Sequence, residues 1–183
     1  MKQLRAILIE EPWQVELMRI LFNDNLATLS KPLPSRTYEE QQQWWNENKS
    51  HLTAYLYEPV DRPGKFVAFL LMRDRGGFST HTIIIQKEEQ GKKYGHEIVF
   101  NHLEKANGPI AATQLQSNKA ICHINEKAGY IVLGEKDHPD SGKTDIIYHP
   151  GYNPEAKPTR EVFESMLKYW EFDGDMDFSE YII

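Results

Sequence analysis

The sequence predicts an α/β (α+β) fold: a mixed, mostly antiparallel sheet of about seven strands flanked by helices, with one helix added at the C-terminus. Three observations carry this. Short aliphatic or β-branched runs recur with turn residues between them, as at Leu4–Ile9, Phe66–Met72 and Thr82–Ile85. Segments with one apolar face at helical spacing stand between several of these runs. Between Leu52 and Ile85 three strand segments follow one another at hairpin spacing, which predicts an antiparallel meander.

Leu4–Ile9 is the first strand. Pro12 suits a first helical turn and is followed by Trp13, Leu17, Ile20 and Leu21 on one face. Leu26–Arg36 carries two prolines, Pro32 and Pro34, without periodicity and reads as a loop. Thr37-Tyr38-Glu39-Glu40 is a capping box that opens a second helix through Gln41–Asn48, with Trp44 and Trp45. Leu52–Glu58 is a strand, Asp61-Arg62-Pro63-Gly64 a turn, and Phe66–Met72 a continuous apolar run expected in the centre of the sheet. Arg75-Gly76-Gly77 turns the chain into Phe78–Ile85. After a third helix, with Ile98, Val99, His102, Leu103 and Ala106 on one face, Asn107-Gly108 is a stop signal. Pro109–Leu115 is the fifth strand, and Ser117-Asn118 caps a helix whose apolar face is Ala120, Ile121, Ile124 and Ala128. Tyr130–Leu133 and Thr144–His149 are the last strands, joined by a polar loop, Gly134–Lys143. Thr159–Glu171 is a further helix with an apolar stripe of Val162, Phe163, Met166, Leu167 and Trp170. Such a stripe needs cover, from the chain's own sheet or from a second copy in a homodimer.

The stretch Thr80–Gly95, THTIIIQKEEQGKKYG, is the one most suggestive of chemistry. Thr82-Ile83-Ile84-Ile85 reads as a strand buried on both faces, and a polar turn follows. Gly91 and Gly95 then bracket Lys92, Lys93 and Tyr94 ahead of the third helix. Strand, glycine-bearing loop and helix start are the parts of a phosphate cradle, since free main-chain N–H groups and the positive helix end converge there. An ordinary strand–turn–helix connection has the same local signature.

Bulk properties narrow the class. The chain has 183 residues, room for one substantial domain, with 40% hydrophobic and 26% charged residues. A formal net charge of −6 argues against a nucleic-acid-binding surface, while Lys87, Lys92 and Lys93 form a local basic patch suited to an anionic ligand. One cysteine, Cys122, excludes a disulfide framework and suits a reducing compartment. With no secretory signal and no apolar run of membrane-spanning length, a cytoplasmic location away from membranes is expected. Asp173-Gly174-Asp175-Met176-Asp177 mimics the start of a calcium loop but lacks the glycine at the sixth position and the closing glutamate, so no metal is expected.

Gln90-Gly91-Lys92-Lys93-Tyr94-Gly95 resembles the Gln/Arg-x-x-Gly-x-Gly/Ala loop of the GNAT superfamily of acetyl-CoA-dependent N-acyltransferases, with Lys93 standing where the central glycine usually is. Downstream, Asn118–Tyr130 is similar to the family's Asn-x-x-Ala-x-x-x-Tyr-x-Lys-x-Gly-Phe/Tyr block through Asn118, Glu126-Lys127 and Gly129-Tyr130. The resemblance covers roughly Leu4–His149. It implies a GNAT domain over 1–150 and a C-terminal extension over 151–183 with one amphipathic helix.

It also implies transfer of an acetyl group from acetyl-CoA to a primary amine by direct attack in a ternary complex. The acceptor would be a small molecule, an amino sugar or a protein amine. By this likeness, main-chain groups of Ile83, Ile84 and Ile85 pair with the pantetheine arm and polarise the thioester carbonyl. Amides across Gln90, Gly91, Lys92, Lys93, Tyr94, Gly95 and His96 hold the diphosphate, and Asn118 bonds the pantetheine or the acceptor. In the same reading Trp44 and Trp45, on the acceptor side, touch substrate; packing of their helix onto the sheet is the alternative. His81 is the candidate general base, since imidazole titrates near neutrality, and Ser79 could orient a water instead. Asn125 occupies the position of the family's proton-donating tyrosine and can only hydrogen-bond the sulfur; Tyr94 and Tyr130 are substitute acids. Cys122 and His123, adjacent in sequence, point about 100° apart on a helix and make an improbable nucleophilic pair. The alternative from another class is a non-catalytic acyl-CoA-binding module, motivated by Lys93 and Asn125.

Overall fold

Strand β1 (Leu4–Leu8) pairs antiparallel with β2 (Leu52–Pro59), from Leu4 opposite Pro59 to Leu8 opposite Tyr55. This is seen in the computed structural model, which describes residues 3–29, 33–106, 108–138, 142–151 and 158–171. β2 pairs antiparallel with β3 (Ala68–Asp74), and β4 (Ser79–Ile85), β5 (Ile110–Leu115), β6 (Ile131–His138) and β7 (Gly142–His149) complete a seven-stranded sheet in the order β1-β2-β3-β4-β5-β7-β6. β4 and β5 are parallel, with Ser79 opposite Ile110 and Thr80 opposite Ala111. The expected mixed, mostly antiparallel sheet is therefore present.

By its contacts the chain divides into two compact units, residues 1–73 with 81–98, and residues 74–80 with 99–183. In the first, alternation along the strands sorts side chains to two faces. Ala54, Leu56, Phe69 and Ile84 face one core together with Val15, Met18 and Leu21 of helix α1 (Pro12–Asn23) and Trp45 of helix α2 (Tyr38–Asn48). Tyr57, Ala68 and Leu70 face the other, packed with Tyr94 and Ile98 of helix α3 (Tyr94–Leu103). α2 starts as expected: Thr37 Oγ1 accepts from the Glu40 N–H and Glu40 Oε2 accepts from the Thr37 N–H. Glu58, buried on β2, is held by the side chain of Arg5 and by the Gly64 N–H at 2.6 Å, and chiefly this main-chain bond keeps its carboxyl below the usual range.

In the second unit helix α5 (Arg160–Tyr169) lies on the chain's own sheet. Phe163, Met166 and Leu167 are buried against Phe78, Ala111, Leu133, Ile146 and Tyr148, so the stripe is covered within the chain. Helix α4 (Lys119–Lys127) follows β5.

Four expectations are corrected. In its described part the polar segment Gly134–Lys143 is strand, not loop: β6 continues to His138 and β7 begins at Gly142, since main-chain pairing from Gly134–Ile146 to His138–Gly142 needs no apolar side chain. The strand Thr82–Ile85 is not buried on both faces, because only Ile84 is fully buried. α3 begins at Tyr94, so Gly95 lies inside its first turn. On α4 the expected face fails, Ala120 being exposed and Asn125 the buried residue. Smaller shifts are a 3-10 turn at Leu26–Thr28 within the expected loop and a start of β3 at Ala68. Asn107 and the acidic segment 173–177 lie outside the described residues.

Candidate functional site

The segment after β4 is shaped by its polar side chains. Beyond Ile85 the Gln86 N–H donates to the Val67 carbonyl at 2.8 Å, a 3-10 turn forms over Lys87–Glu89, and Gln90 Nε2 returns to the Ile85 carbonyl at 3.2 Å. Gly91 then takes φ 80° and Lys93 φ 66°. Left-handed conformations at alternate positions turn successive N–H groups toward one side, the geometry of an anion-binding nest. Lys93 thus holds the backbone shape of the glycine it replaces, at a cost of about 1–2 kcal/mol for a residue with a Cβ. The helical ladder starts at the bond from the Glu97 N–H to the Lys93 carbonyl (3.3 Å), so the N–H groups of Tyr94 and Gly95 precede it and face the start of the helix, where an anion is favoured.

Beside this loop lies a group that no motif announces. Glu89 is only 2% exposed, and Arg62 Nη1 and Nη2 meet its two oxygens at 2.9 Å each. Lys65 Nζ reaches Oε1 at 2.7 Å and Lys92 Nζ reaches Oε2 at 2.8 Å. The Arg62 guanidinium first, then the two ammonium groups, hold the Glu89 carboxyl far below the usual carboxylate range. Three cations on one carboxylate leave a local charge of +2, lessened by the exposed Asp61 3.8 Å from Arg62. One guanidinium would neutralise the buried acid; two further half-exposed lysines suit an added anion. Lys92 is therefore tied to Glu89 as well as placed in the loop.

In the second unit α4 is capped as the sequence implies, Asn118 Oδ1 accepting from the Ile121 N–H at 3.3 Å. Asn125, two turns further along, is 2% exposed, and its Nδ2 donates to Gln114 Oε1 at 2.8 Å. Gln114 Nε2 donates to Asp145 Oδ2 at 3.0 Å, and Gln116 Nε2 to Asp145 Oδ1 at 2.6 Å. Asn125, Gln114, Tyr130 and Ile147 help line a cavity of about 400 Å³ under α4.

The other candidates fall out as follows. His81 is half-buried within β4. The buried Tyr94 hydroxyl accepts from Arg62 Nη2 at 3.1 Å. Tyr130 packs on the His149 ring at 5.1 Å, and burial pushes its hydroxyl up, out of the range where it readily loses a proton. Cys122 Sγ is directed at the Leu115 carbonyl (3.4 Å), burial raises its thiol, and His123 stands 4.0 Å from Glu126, so no Cys–His pair forms. Trp45 is core; Trp44 is half-buried under the guanidiniums of Arg36 (4.8 Å) and Arg73 (5.4 Å). Among the described residues no group of three or more His, Cys, Asp or Glu could hold a metal, and no helix is long and apolar enough to cross a membrane.

Sequence reasoning missed Arg62, Lys65 and Glu89, and also Gln114 with Asp145. Arg62 and Glu89 are 27 positions apart, and Gln114 and Asp145 are 31. No local pattern joins them; strand register does, placing Gln114 opposite Asp145.

No family model matches the chain, and no curated protein resembles it in sequence. Solved structures do match. A spermidine N-acetyltransferase from Vibrio cholerae, in complex with CoA and spermine, superposes with a TM-score of 0.71 at 14% identity over 81% of this chain and 96% of that one. A dodecameric structure of spermidine N-acetyltransferase from the same organism, in an intermediate state, gives 0.68 at 15% identity over 81% and 94%. At such identities the likeness is one of fold: the chain has the GNAT fold that its two sequence blocks imply.

Proposed function

We propose that the chain is an N-acetyltransferase that moves an acetyl group from acetyl-CoA to a primary amine by direct attack in a ternary complex. The observation that carries this reading is the loop after β4. Two left-handed residues, Gly91 and Lys93, and the unladdered N–H groups of Tyr94 and Gly95 stand beside a cluster of three cations gathered on Glu89, and these suit a diphosphate. The fold shared with structures of N-acetyltransferases adds support. Bound acetyl-CoA supplies an activated thioester acetyl group.

The chain's own residues do the rest. Amides from Gly91 to His96 hold the diphosphate, the Gln90 N–H being given instead to the Lys87 carbonyl, and Lys92 and Lys93 add charge. Main-chain groups of Ile83–Ile85 align the pantetheine arm and stabilise negative charge on the carbonyl oxygen. His81 takes the proton of the incoming ammonium. Asn118, whose cap uses only its Oδ1, offers its Nδ2 to the arm or the acceptor. Asn125 gives its N–H to Gln114 and so does not donate to the sulfur; its part is to position. A thiolate leaves acceptably without an acid, since a free thiol has a pKa of about 8.5. The acceptor class is a small amine, an amino sugar or a protein amine.

The decisive experiment incubates the protein with acetyl-CoA and a panel of amines and follows thiol release. Turnover that falls at least tenfold in His81→Ala is expected. The rival reading, a non-catalytic acyl-CoA-binding module, is favoured by the lack of a proton donor at Asn125, and it predicts CoA binding without turnover on any amine. Absence of CoA binding overturns both.

A further inference from the structure

Arg36 is held more firmly than a surface arginine needs. Asn23 grips its main chain from both sides, Oδ1 accepting from the Arg36 N–H at 3.0 Å and Nδ2 donating to the Arg36 carbonyl at 2.8 Å. Arg19 Nη1 donates to the same carbonyl at 2.9 Å, and Arg19 is itself fixed by both oxygens of Glu16. The guanidinium placed in this way is half-buried, 5.0 Å from the centre of the Phe22 ring and 4.8 Å from that of Trp44. Its Nη1 donates to the neutral Gln41 Oε1 at 3.0 Å, and no carboxylate among the described residues pairs with it. Glu40 is near enough to be felt, but its Oε2 accepts from the Thr37 N–H. Alternation along β3 puts Arg73 on the face of Phe69 and Leu71, and its guanidinium lies 5.4 Å from the same Trp44 ring.

Two like charges therefore stand on one indole, no further apart than those two distances together, which is close to the Debye length of about 10 Å at 0.1 M salt. An aromatic face attracts a cation without neutralising it, and a charge withdrawn from water is ordinarily matched by an opposite one. The guanidinium fork fits a carboxylate through parallel N–H bonds and stacks on aromatic rings while doing so. We propose that Arg36 and Arg73, gathered on Trp44, form a carboxylate-binding site, with the open part of the indole set against the ligand's methylene chain. All of these residues belong to the first unit, which also holds the loop after β4. Within the acyl-transfer reading, on which this step rests, Trp44 borders the acceptor, so the acceptor is an amine that carries an acid group at its far end. The local charge thus reverses the choice that a net charge of −6 would favour, a purely cationic amine.

The test follows the Trp44 indole N–H resonance of the full ¹⁵N-labelled chain, assigned by its loss in Trp44→Phe, with no CoA present. Aminocaproate and hexamethylenediamine are titrated separately; both carry an amine on a six-carbon chain, and they differ at the other end. Aminocaproate should shift the indole saturably and bind about tenfold more tightly than the diamine. Arg36→Gln and Arg73→Gln should each weaken aminocaproate about tenfold and leave the diamine no weaker, a split that general loosening of the fold would not give. Equal or tighter binding of the diamine, an unmoved indole, or undiminished aminocaproate affinity in Arg73→Gln overturns the site. The last decides even where Arg36→Gln fails to fold. A carboxylate site without thiol release on any amine sinks the acyl-transfer reading alone, and thiol release with a silent indole sinks the site alone. Where thiol is released, KM should be lower for aminocaproate than for the diamine, and the reverse order overturns the acceptor assignment.

Discussion

Arg62 meets Glu89 through two parallel hydrogen bonds of 2.9 Å, and this bidentate pair ties the β2–β3 turn to the loop that precedes α3. Lys65 and Lys92 complete the arrangement, so the shape of the loop depends on a buried acid with no direct part in chemistry. Glu89→Gln should destabilise the protein by about 2–3 kcal/mol in urea unfolding, less than the 3–5 kcal/mol of a wholly buried pair because its partners are half-exposed. The variant also raises the local positive charge. Simple attraction would then tighten CoA, whereas loss of preorganisation weakens it. We expect a several-fold weaker Kd by calorimetry.

Lys93 tests the loop from the other direction. At φ 66° it carries strain that glycine would not. Lys93→Gly should stabilise by about 0.5–1 kcal/mol, and Lys93→Val should cost about 1–2 kcal/mol, by chemical denaturation. The glycine variant gains stability while losing a charge, so CoA affinity should drop as the midpoint rises.

Gly64 and Gly151 share φ 84° but differ in surroundings. A Cβ on Gly64 meets nothing within 4 Å, whereas one on Gly151 would lie 2.3 Å from the Gly108 carbonyl oxygen. Gly64→Ala should cost about 1 kcal/mol, the conformational penalty alone. Gly151→Ala should cost roughly 3 kcal/mol or more, because main chain has to move. Paired thermal melts will separate the two.

Histidine 102 supplies a pH dependence. Burial first, then the nearby His149 and Lys105, pushes His102 down to about 4. A histidine depressed in the folded state stabilises fully above its unfolded value near 6.5, and that contribution is lost as pH falls toward 4. The loss amounts to roughly 3 kcal/mol. His149, also lowered by burial, adds to the same window, while Glu89, depressed as an acid, adds losses only below its unfolded value near 4.5. His102→Leu should flatten the stability profile between pH 6.5 and 4 without removing the decline at lower pH.

Much of the architecture was legible in local pattern. The capping box at Thr37–Glu40, the cap at Asn118, the meander and the stripe of α5 are all signals within a few residues, and each element formed where its signal stands. The extension of β6 to His138 and the early start of β7 at Gly142 were not legible, because antiparallel main-chain pairing tolerates polar side chains. The burial of Asn125 was equally hidden: an asparagine on a short helix reads as a solvated position until a partner across 11 residues accepts its amide.

By itself, then, the amino-acid order determined the element order, the fold family those elements imply, and the loop at Gln90–His96, for these rest on short-range spacing and on backbone preferences. Tertiary structure alone decided which charges gather on Glu89 and which way the amides of Gln114 and Asn125 point. Those outcomes come from pairing across 27 and 31 positions, where strand register and burial select partners that no local spacing encodes.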